Sequence, residues 1–385
     1  MSLRGFVSAQ LKRVEHGFET LNLIEVNSRR IIENYDVYAK INSCMDIFPV
    51  LKANAYGHGI GEVMSILKKR EFPYVVVDGY FEALRVWEVS NQRVLLIGYV
   101  DPVNYRFMNL KRCAVAVWDR ETVQALGKLK RRVHVHVKVD TGMNRQGVQV
   151  HELRDLMKEI MKFPHLDVEG VMSHFADADG ESGVSTQKQK KLFNETVAIV
   201  KQSAGHEIRY VHIGATAGGA KLDGVVSTAI RLGIGLYGYN PLPDTDPVHE
   251  KLMKLRPALT FKTKLAAEKK IKKGCHISYN CTYTAPRDMT IGVLPLGYYE
   301  GIDRRLSNKG VVGYKGTDVP ILGRVCMNIT VIGLPDTGAK RLDDVEVISA
   351  DTTKKNSVAA MAKLCKTIPY DVLVHLNERV RRVVM

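Results

Sequence analysis

Short apolar runs recur along the first two-thirds of the chain, each followed by a polar or amphipathic stretch. They fall at 47–51, 74–77, 94–99, 114–118, 133–139, 168–174, 208–213 and 229–233. Rich in Val and Ile and only a few residues long, they read as strands. Helical spacing fills the gaps at 60–70, 81–90, 121–129, 151–161 and 188–203. Asp119 stands where a cap is expected, and Thr186 followed by Gln189 has the form of a capping box. The connection between the third and fourth runs is short, so a helix has least support there. Eight strands alternating with helices over roughly 220–250 residues imply an α/β fold with a (β/α)8 TIM-type barrel. A doubly wound sheet shows the same alternation, but the count and the length favour closure.

The pattern changes near residue 245. Pro241, Pro243 and Pro247, with Asp and Thr between them, read as a linker. Apolar runs then follow at 259–265, 276–279, 290–294, 310–313, 320–322, 328–332 and 344–348, before one helical stretch at 358–365. This predicts a barrel over 1–244 and a mostly β C-terminal domain over 245–385. The early run at 21–26 precedes the first barrel strand and is expected to pair with that second domain. The first twenty residues mix charges of both signs without an apolar signal core, and read as a loose N-terminal arm.

The net charge of +15 changes this picture little. Lysines and arginines are scattered over short runs such as 68–70, 128–132, 188–191 and 269–273, without interleaved aromatics. They read as solvated faces rather than a nucleic-acid surface. No apolar run approaches the ~18 residues of a membrane span. Six cysteines without a C-x-x-C pair or zinc-like spacing fit reduced thiols and a cytoplasmic protein.

The chemistry concentrates first at 47–59, I-F-P-V-L-K-A-N-A-Y-G-H-G. The first barrel run delivers Lys52 to the mouth of a strand-to-helix turn, where (β/α)8 folds carry their reactive groups. A lysine flanked by apolar residues gives up its proton more readily than a solvated one, which suits Schiff-base formation. Runs seven and eight end in V-H-I-G-A-T-A-G-G and R-L-G-I-G-L-Y-G. Glycines and the Thr216 hydroxyl at these two strand ends suit a phosphate held by backbone N–H groups.

V-L-K-A-N-A-Y-G-H-G resembles the pyridoxal-phosphate lysine motif of the alanine racemase family almost letter for letter. Similar motifs run from about residue 20 to the C-terminus. The resemblance implies a pyridoxal 5'-phosphate enzyme of fold type III that interconverts L- and D-alanine, with D-alanine serving as a cell-wall precursor. Lys52 then holds the cofactor and serves as the base on one face of the substrate. Tyr279, in I-S-Y-N-C-T-Y-T-A, serves the other face from the partner subunit, so the resemblance implies a homodimer with shared active sites. A phenol needs cationic neighbours for this work, and His174 and Arg231 are expected to supply them.

The same resemblance implies cofactor contacts from Tyr56, His174, Thr216, Arg231, Gly233, Ile234 and Tyr370. Arg231 faces the ring nitrogen and His212 supports it. An arginine stays protonated, so the ring nitrogen does not, which restricts transamination. Arg145, Met327 and Tyr298 are implied for the substrate, and Lys138 matches a lysine that is commonly carbamylated and orients Arg145. Three positions depart from the family pattern: Ala215 replaces an asparagine, and Glu300 and Asn328 stand where aspartates are usual. They keep open a racemase of serine or a larger amino acid. A non-catalytic pyridoxal-phosphate carrier or a basic nucleic-acid-binding protein is the alternative of another class.

Overall fold

The computed structural model describes residues 19–180, 183–335 and 338–385. The expected N-terminal arm falls almost wholly on 1–18, outside the described residues. The chain divides into two compact units: residues 26–259 with 384–385, and residues 260–383 with 19–25.

The first unit is built on eight strands: β1 (Asp46–Pro49), β2 (Val75–Val77), β3 (Val94–Leu96), β4 (Cys113–Val117), β5 (Val133–Asp140), β6 (Leu166–Met172), β7 (Tyr210–His212) and β8 (Ala229–Leu232). β2 to β7 lie side by side in chain order, all parallel. β8 pairs with β1, setting Arg231 opposite Phe48. A bridge between Val50 and Val76 joins β1 to β2. The N–H groups of Thr228 and Arg231 donate to the carbonyls of Val211 and Gly214, joining β8 to β7. The ring therefore closes. β2, β3 and β4 are buried on both faces, as parallel strands covered by helices must be, which explains their continuous apolar runs.

The expected helices appear as Ile60–Leu67, Tyr80–Val89, Arg120–Lys128, Leu153–Met161 and Val184–Ala204. Asp119 caps the third, accepting from the N–H of Thr122 at 2.7 Å. Thr186 is not a cap. The helix begins two residues earlier behind Gly183, and the Thr186 hydroxyl donates instead to the carbonyl of Asp177. Between β3 and β4 there is only a 3-10 turn at Pro102–Phe107. One helix escaped the pattern: Ser28–Ile41, capped by Asn27. It buries Ile31, Asn34, Tyr35 and Tyr38, and two polar-looking types on the buried face hide the stripe. Asn34 belongs there because its amide binds the carbonyls of Leu236 and Arg256 and the N–H of Arg256.

The second unit carries a six-stranded sheet ordered Thr317–Pro320, Val311–Tyr314, Asp344–Ile348, Leu259–Lys264, Leu23–Val26 and Arg381–Val384. Leu23–Val26 is thus an interior strand of this sheet. A three-stranded sheet of Ala267–Ile271, Met289–Leu294 and Thr330–Leu334 and a small hairpin of His276–Ile277 with Tyr283–Thr284 complete the β structure. The sequence A-E-K-K-I of 267–271 hid a strand because it is an exposed edge, where lysines discourage further pairing. The strand expected over 276–279 stops at Ile277, so Tyr279 sits in the hairpin loop.

Candidate functional site

Lys52 follows β1 and opens an unusual turn. Ala53, Asn54, Ala55 and Tyr56 all have φ of 51–54°, a left-handed helical turn built from residues with side chains. Such a conformation costs on the order of 1–2 kcal/mol per residue, and strain of this kind gathers at functional sites. Hydrogen bonds hold it in place. The N–H of Ala55 donates to Leu51 (2.8 Å) and that of Gly59 to the Asn54 carbonyl (2.9 Å). The Asn54 side chain accepts from Ile60, the first residue of the next helix. Glu82 accepts from the N–H of Ala53 at 2.6 Å and from that of Asp78 at 2.8 Å, clamping the turn to the loop after β2. Lys52 is half-buried, and its amine makes no hydrogen bond or ion pair among the described residues.

Arg231 on β8 is almost fully buried, at 2% exposure. Its Nη1 donates to the carbonyl of His212 (2.9 Å) and lies against His212 Nδ1 (2.5 Å). Its Nη2 donates to Ser173 (2.7 Å) and Ile213 (3.0 Å) and lies 3.0 Å from His174 Nδ1. The Nε–H makes no hydrogen bond among the described residues. Burial, with help from Arg145, brings the guanidinium down to about 10, still a cation at neutral pH. Burial and the neighbouring Arg231 hold His174 down at about 3. His174 is therefore neutral and supplies no positive charge to a phenol, contrary to the expectation from sequence.

Thr216 opens a short helical turn after β7, and its hydroxyl accepts from the N–H of Gly235 at 3.1 Å. Tyr38 donates to the Thr216 carbonyl at 2.9 Å. A Cβ on Gly233 would lie 3.0 Å from the Tyr56 hydroxyl and 3.6 Å from the Thr216 hydroxyl, so the glycine leaves space beside these two side chains and the backbone before Ile234. Tyr56 in turn packs on Tyr237, whose hydroxyl donates to Val50 beside β1.

Lys138 on β5 is buried, with Nζ donating to Gln146 Oε1 at 2.6 Å and lying 5.1 Å from the Trp118 ring centre. Burial, then Arg231 and Arg145, push its amine down to about 8, with Lys52 adding to the effect and Asp78 opposing it. Arg145, after β5, is exposed and has no hydrogen bond or ion pair among the described residues. Lys52, Lys138, Arg145 and Arg231 thus gather at one end of the barrel, and none of the four is in an ion pair among the described residues, although Asp78 and Glu82 lie nearby. Such a cluster calls for an anion.

In the second unit the expected site residues are conspicuously exposed: Tyr279 at 68%, Met327 at 55% and Tyr298 at 43%. Ser278 and Asn280 flank Tyr279 with positive φ, and the Ser278 hydroxyl donates to Arg324. Tyr298 and Met327 are drawn together, since the N–H groups of Tyr298 and Tyr299 donate to the carbonyls of Cys326 and Met327 at 3.0 and 2.9 Å. Tyr370 lies half-buried in the short helix Pro369–Val374.

Residues 26–241 match the N-terminal domain of alanine racemase and residues 258–384 match its C-terminal domain. The chain belongs to the alanine racemase family. It is 33% identical to the alanine racemase of Carboxydothermus hydrogenoformans over 368 residues, which cover 93% of this chain and 98% of that one. The crystal structure of the Bacillus anthracis alanine racemase with bound L-Ala-P superposes with a TM-score of 0.88 at 30% identity, covering 96% of both chains. The Bartonella henselae alanine racemase with covalently bound pyridoxal phosphate shares the fold, with a TM-score of 0.83 at 23% identity over 95% of this chain and all of that one.

Against the family pattern, the three departures differ in consequence. Ala215 leaves its position before Thr216 without a side-chain hydrogen bond. Glu300 and Asn328 compensate each other: Asn328 Nδ2 donates to Glu300 Oε1 at 2.8 Å, and the other carboxylate oxygen accepts from the N–H of Gly297 at 2.7 Å. Sequence reasoning missed Glu82 and Gln146. Only Glu82 left a local signal, a Gly79-x-x-Glu82 helix start in which the Glu reaches back to the Gly79 N–H.

Proposed function

We propose that this chain is a pyridoxal 5'-phosphate-dependent alanine racemase, cytoplasmic and active as a homodimer. The observation that carries the reading is the free Nε–H of an otherwise saturated, buried Arg231, at the barrel end that also presents the unengaged amine of Lys52. The residues fit the cofactor. The Tyr56 and Thr216 hydroxyls beside Gly233 and Ile234 suit its phosphate, Arg231 Nε suits its ring nitrogen, and Lys52 suits covalent attachment. His174, neutral and held by Arg231, borders the ring, and Tyr370 narrows the pocket. When bound, the cofactor supplies the electron sink that makes the substrate Cα–H acidic.

The chain's own groups do the rest. Lys52 would move a proton at one face of the substrate Cα, and Tyr279 of the partner subunit would move one at the other. Arg145 orients the substrate carboxylate or the cofactor's ring oxygen. Lys138, with its lowered affinity for a proton, would add carbon dioxide through its neutral amine and give up one proton to solvent, leaving a carbamate whose negative charge relieves the cation cluster and fixes Arg145. Arg231 would donate to the ring nitrogen without releasing its proton, which would disfavour transamination. The Tyr298 ring lines the substrate entrance, and the Met327 backbone helps to hold the substrate carboxylate. The exposure of Tyr279, Tyr298 and Met327 supports a dimer, because such side chains are ready to be covered by another surface. No helix among the described residues is long and apolar enough to cross a membrane.

Purified protein loaded with pyridoxal phosphate is expected to show a visible absorbance band and to convert L-alanine to D-alanine. Conversion of serine with alanine untouched would move the assignment to another substrate. Absorbance without conversion of any amino acid would make the chain a carrier.

A further inference from the structure

Behind Arg231 stands His212, and behind His212 stands His136 on β5, a residue the proposed chemistry does not use. His136 Nδ1 lies 2.8 Å from His212 Nε2, and both side chains are fully buried. The His136 ring lies parallel to Tyr210 (centroids 5.9 Å, 13°) and meets Tyr74 edge-on (5.5 Å, 89°). On β6 a Cβ at Gly170 would come within 2.3 Å of His136 Nδ1, so that strand carries a glycine to make room for the ring. His136 Nε2 is buried without a hydrogen-bond partner among the described residues.

Proton positions follow from donor chemistry. A guanidinium only donates. His212 Nδ1 and His174 Nδ1, both against Arg231, must therefore present lone pairs. A neutral His212 then carries its proton on Nε2 and donates it to His136 Nδ1. His136 in turn carries its own proton on Nε2. Burial keeps both rings neutral, with His136 pushed down to about 3 and His212 well below its ordinary value.

The geometry points to His136 as a positioning residue for Arg231. By accepting from His212 Nε2 it fixes the His212 lone pair on Nδ1, and that lone pair holds the Nη1 edge of the guanidinium so that Nε–H faces the ligand. This rests on the reading of Arg231 as the partner of the cofactor ring. Without an acceptor at position 136, the buried His212 N–H loses its acceptor, and the alternative tautomer would set an N–H against the Arg231 N–H.

Two variants and one direct observation test this. His136→Leu keeps comparable bulk but offers no acceptor, and it is expected to lower kcat about tenfold while KM changes less than about twofold. His136→Gln offers an amide oxygen and is expected to recover most of the loss. Equal kcat in the two variants would mean that His136 merely fills space, and would overturn the proposal. Neutron diffraction from the deuterium-exchanged full chain reads the tautomers directly, whether or not the leucine variant folds. Deuterium is expected on Nε2 of both histidines and absent from Nδ1 of both. Deuterium on either Nδ1 overturns the proposal. That measurement needs neither cofactor nor substrate, so a wild-type chain with the expected deuterium pattern but no racemase activity would refute the functional reading rather than the proton arrangement.

Discussion

Arg231 and Tyr279 stand at opposite extremes of burial. The guanidinium is 2% exposed, and its terminal nitrogens reach three carbonyls and two imidazoles within one unit. The tyrosine is 68% exposed on a hairpin loop of the other unit. The barrel end is preorganised by its own contacts: the donors are fixed, the imidazoles are neutral, and one N–H is left over. The loop around Tyr279 is shaped by its backbone but the tyrosine side chain is left in the open. A residue like Arg231 serves fold and function together. On the proposed mechanism, a residue like Tyr279 serves function alone, once another surface covers it.

The most severe way to break the barrel half is at Lys52. On the proposed mechanism, Lys52→Ala removes both the attachment point and one proton carrier. Racemisation is expected to fall by about 10²–10⁴-fold or more. Mass spectrometry after borohydride reduction should then find no cofactor attached to the chain. Wild-type rates in this variant would remove the mechanism.

The contrast itself is tested by pairing Arg231→Leu with Tyr279→Phe. The first leaves several buried carbonyls and two imidazoles without their donor, so it should lower stability by about 3 kcal/mol as well as activity. The second should leave the melting temperature unchanged while racemisation falls about 10²-fold. Because racemisation has an equilibrium constant of one, the asymmetry of a one-base enzyme shows in isotope exchange rather than in kcat/KM. In heavy water Tyr279→Phe should still wash deuterium into Cα of one alanine enantiomer, through Lys52, and not of the other. Equal wash-in to both would place the second base elsewhere.

Acid should break the barrel half before it affects the exposed loop. His136 and His174 are held near 3, whereas an unfolded imidazole takes its proton near 6.5. Between those values the unfolded chain binds more protons than the folded one, so stability is lost as pH falls. The loss has a slope of about 1.4 kcal/mol per pH unit for each such histidine. Denaturant midpoints measured from pH 7 to 4 read this slope, and His136→Gln should make it shallower by one histidine's share.

Much of the barrel half could be read from the chain, because its information is local. Strands buried on both faces give unbroken apolar runs, and the Lys52, Thr216 and Arg231 segments each sit at a strand end marked by glycine. What stayed hidden depends on partners far apart in sequence. The left-handed turn after Lys52 is written in A-N-A-Y, which carries no mark of φ > 0 beyond one asparagine. The Glu82 clamp comes from another strand's loop. His136 looks like any histidine on a strand until β7 places His212 against it. Thr186 shows the opposite failure: a local capping pattern was overridden when the helix began two residues earlier and the hydroxyl found Asp177. In the second unit the edge strand 267–271 lacked the apolar alternation that marks a half-buried strand.

The smallest expected effect lies on the exposed half, at the pair that departs from the family pattern. Gly297, Tyr298 and Tyr299 are zipped to Cys326 and Met327 so closely that a Cβ on Gly297 would lie 2.0 Å from the Cys326 carbonyl oxygen. Glu300 and Asn328 close the ends of this zipper. Asn328→Asp replaces a donor with a carboxylate facing Glu300, at the cost of one hydrogen bond and one like-charge contact near solvent. A loss of about 1 kcal/mol at neutral pH is expected, with KM rising more than kcat falls, since Tyr298 and Met327 ride on the zipped loops. Glu300→Gln in the same chain should relieve the loss, because its amide donates to the new carboxylate. A double-mutant cycle reads the coupling. If Asn328→Asp and Glu300→Gln prove additive, the two loops are held by their backbone hydrogen bonds alone, and the departure from the family pattern has no role in shaping the entrance.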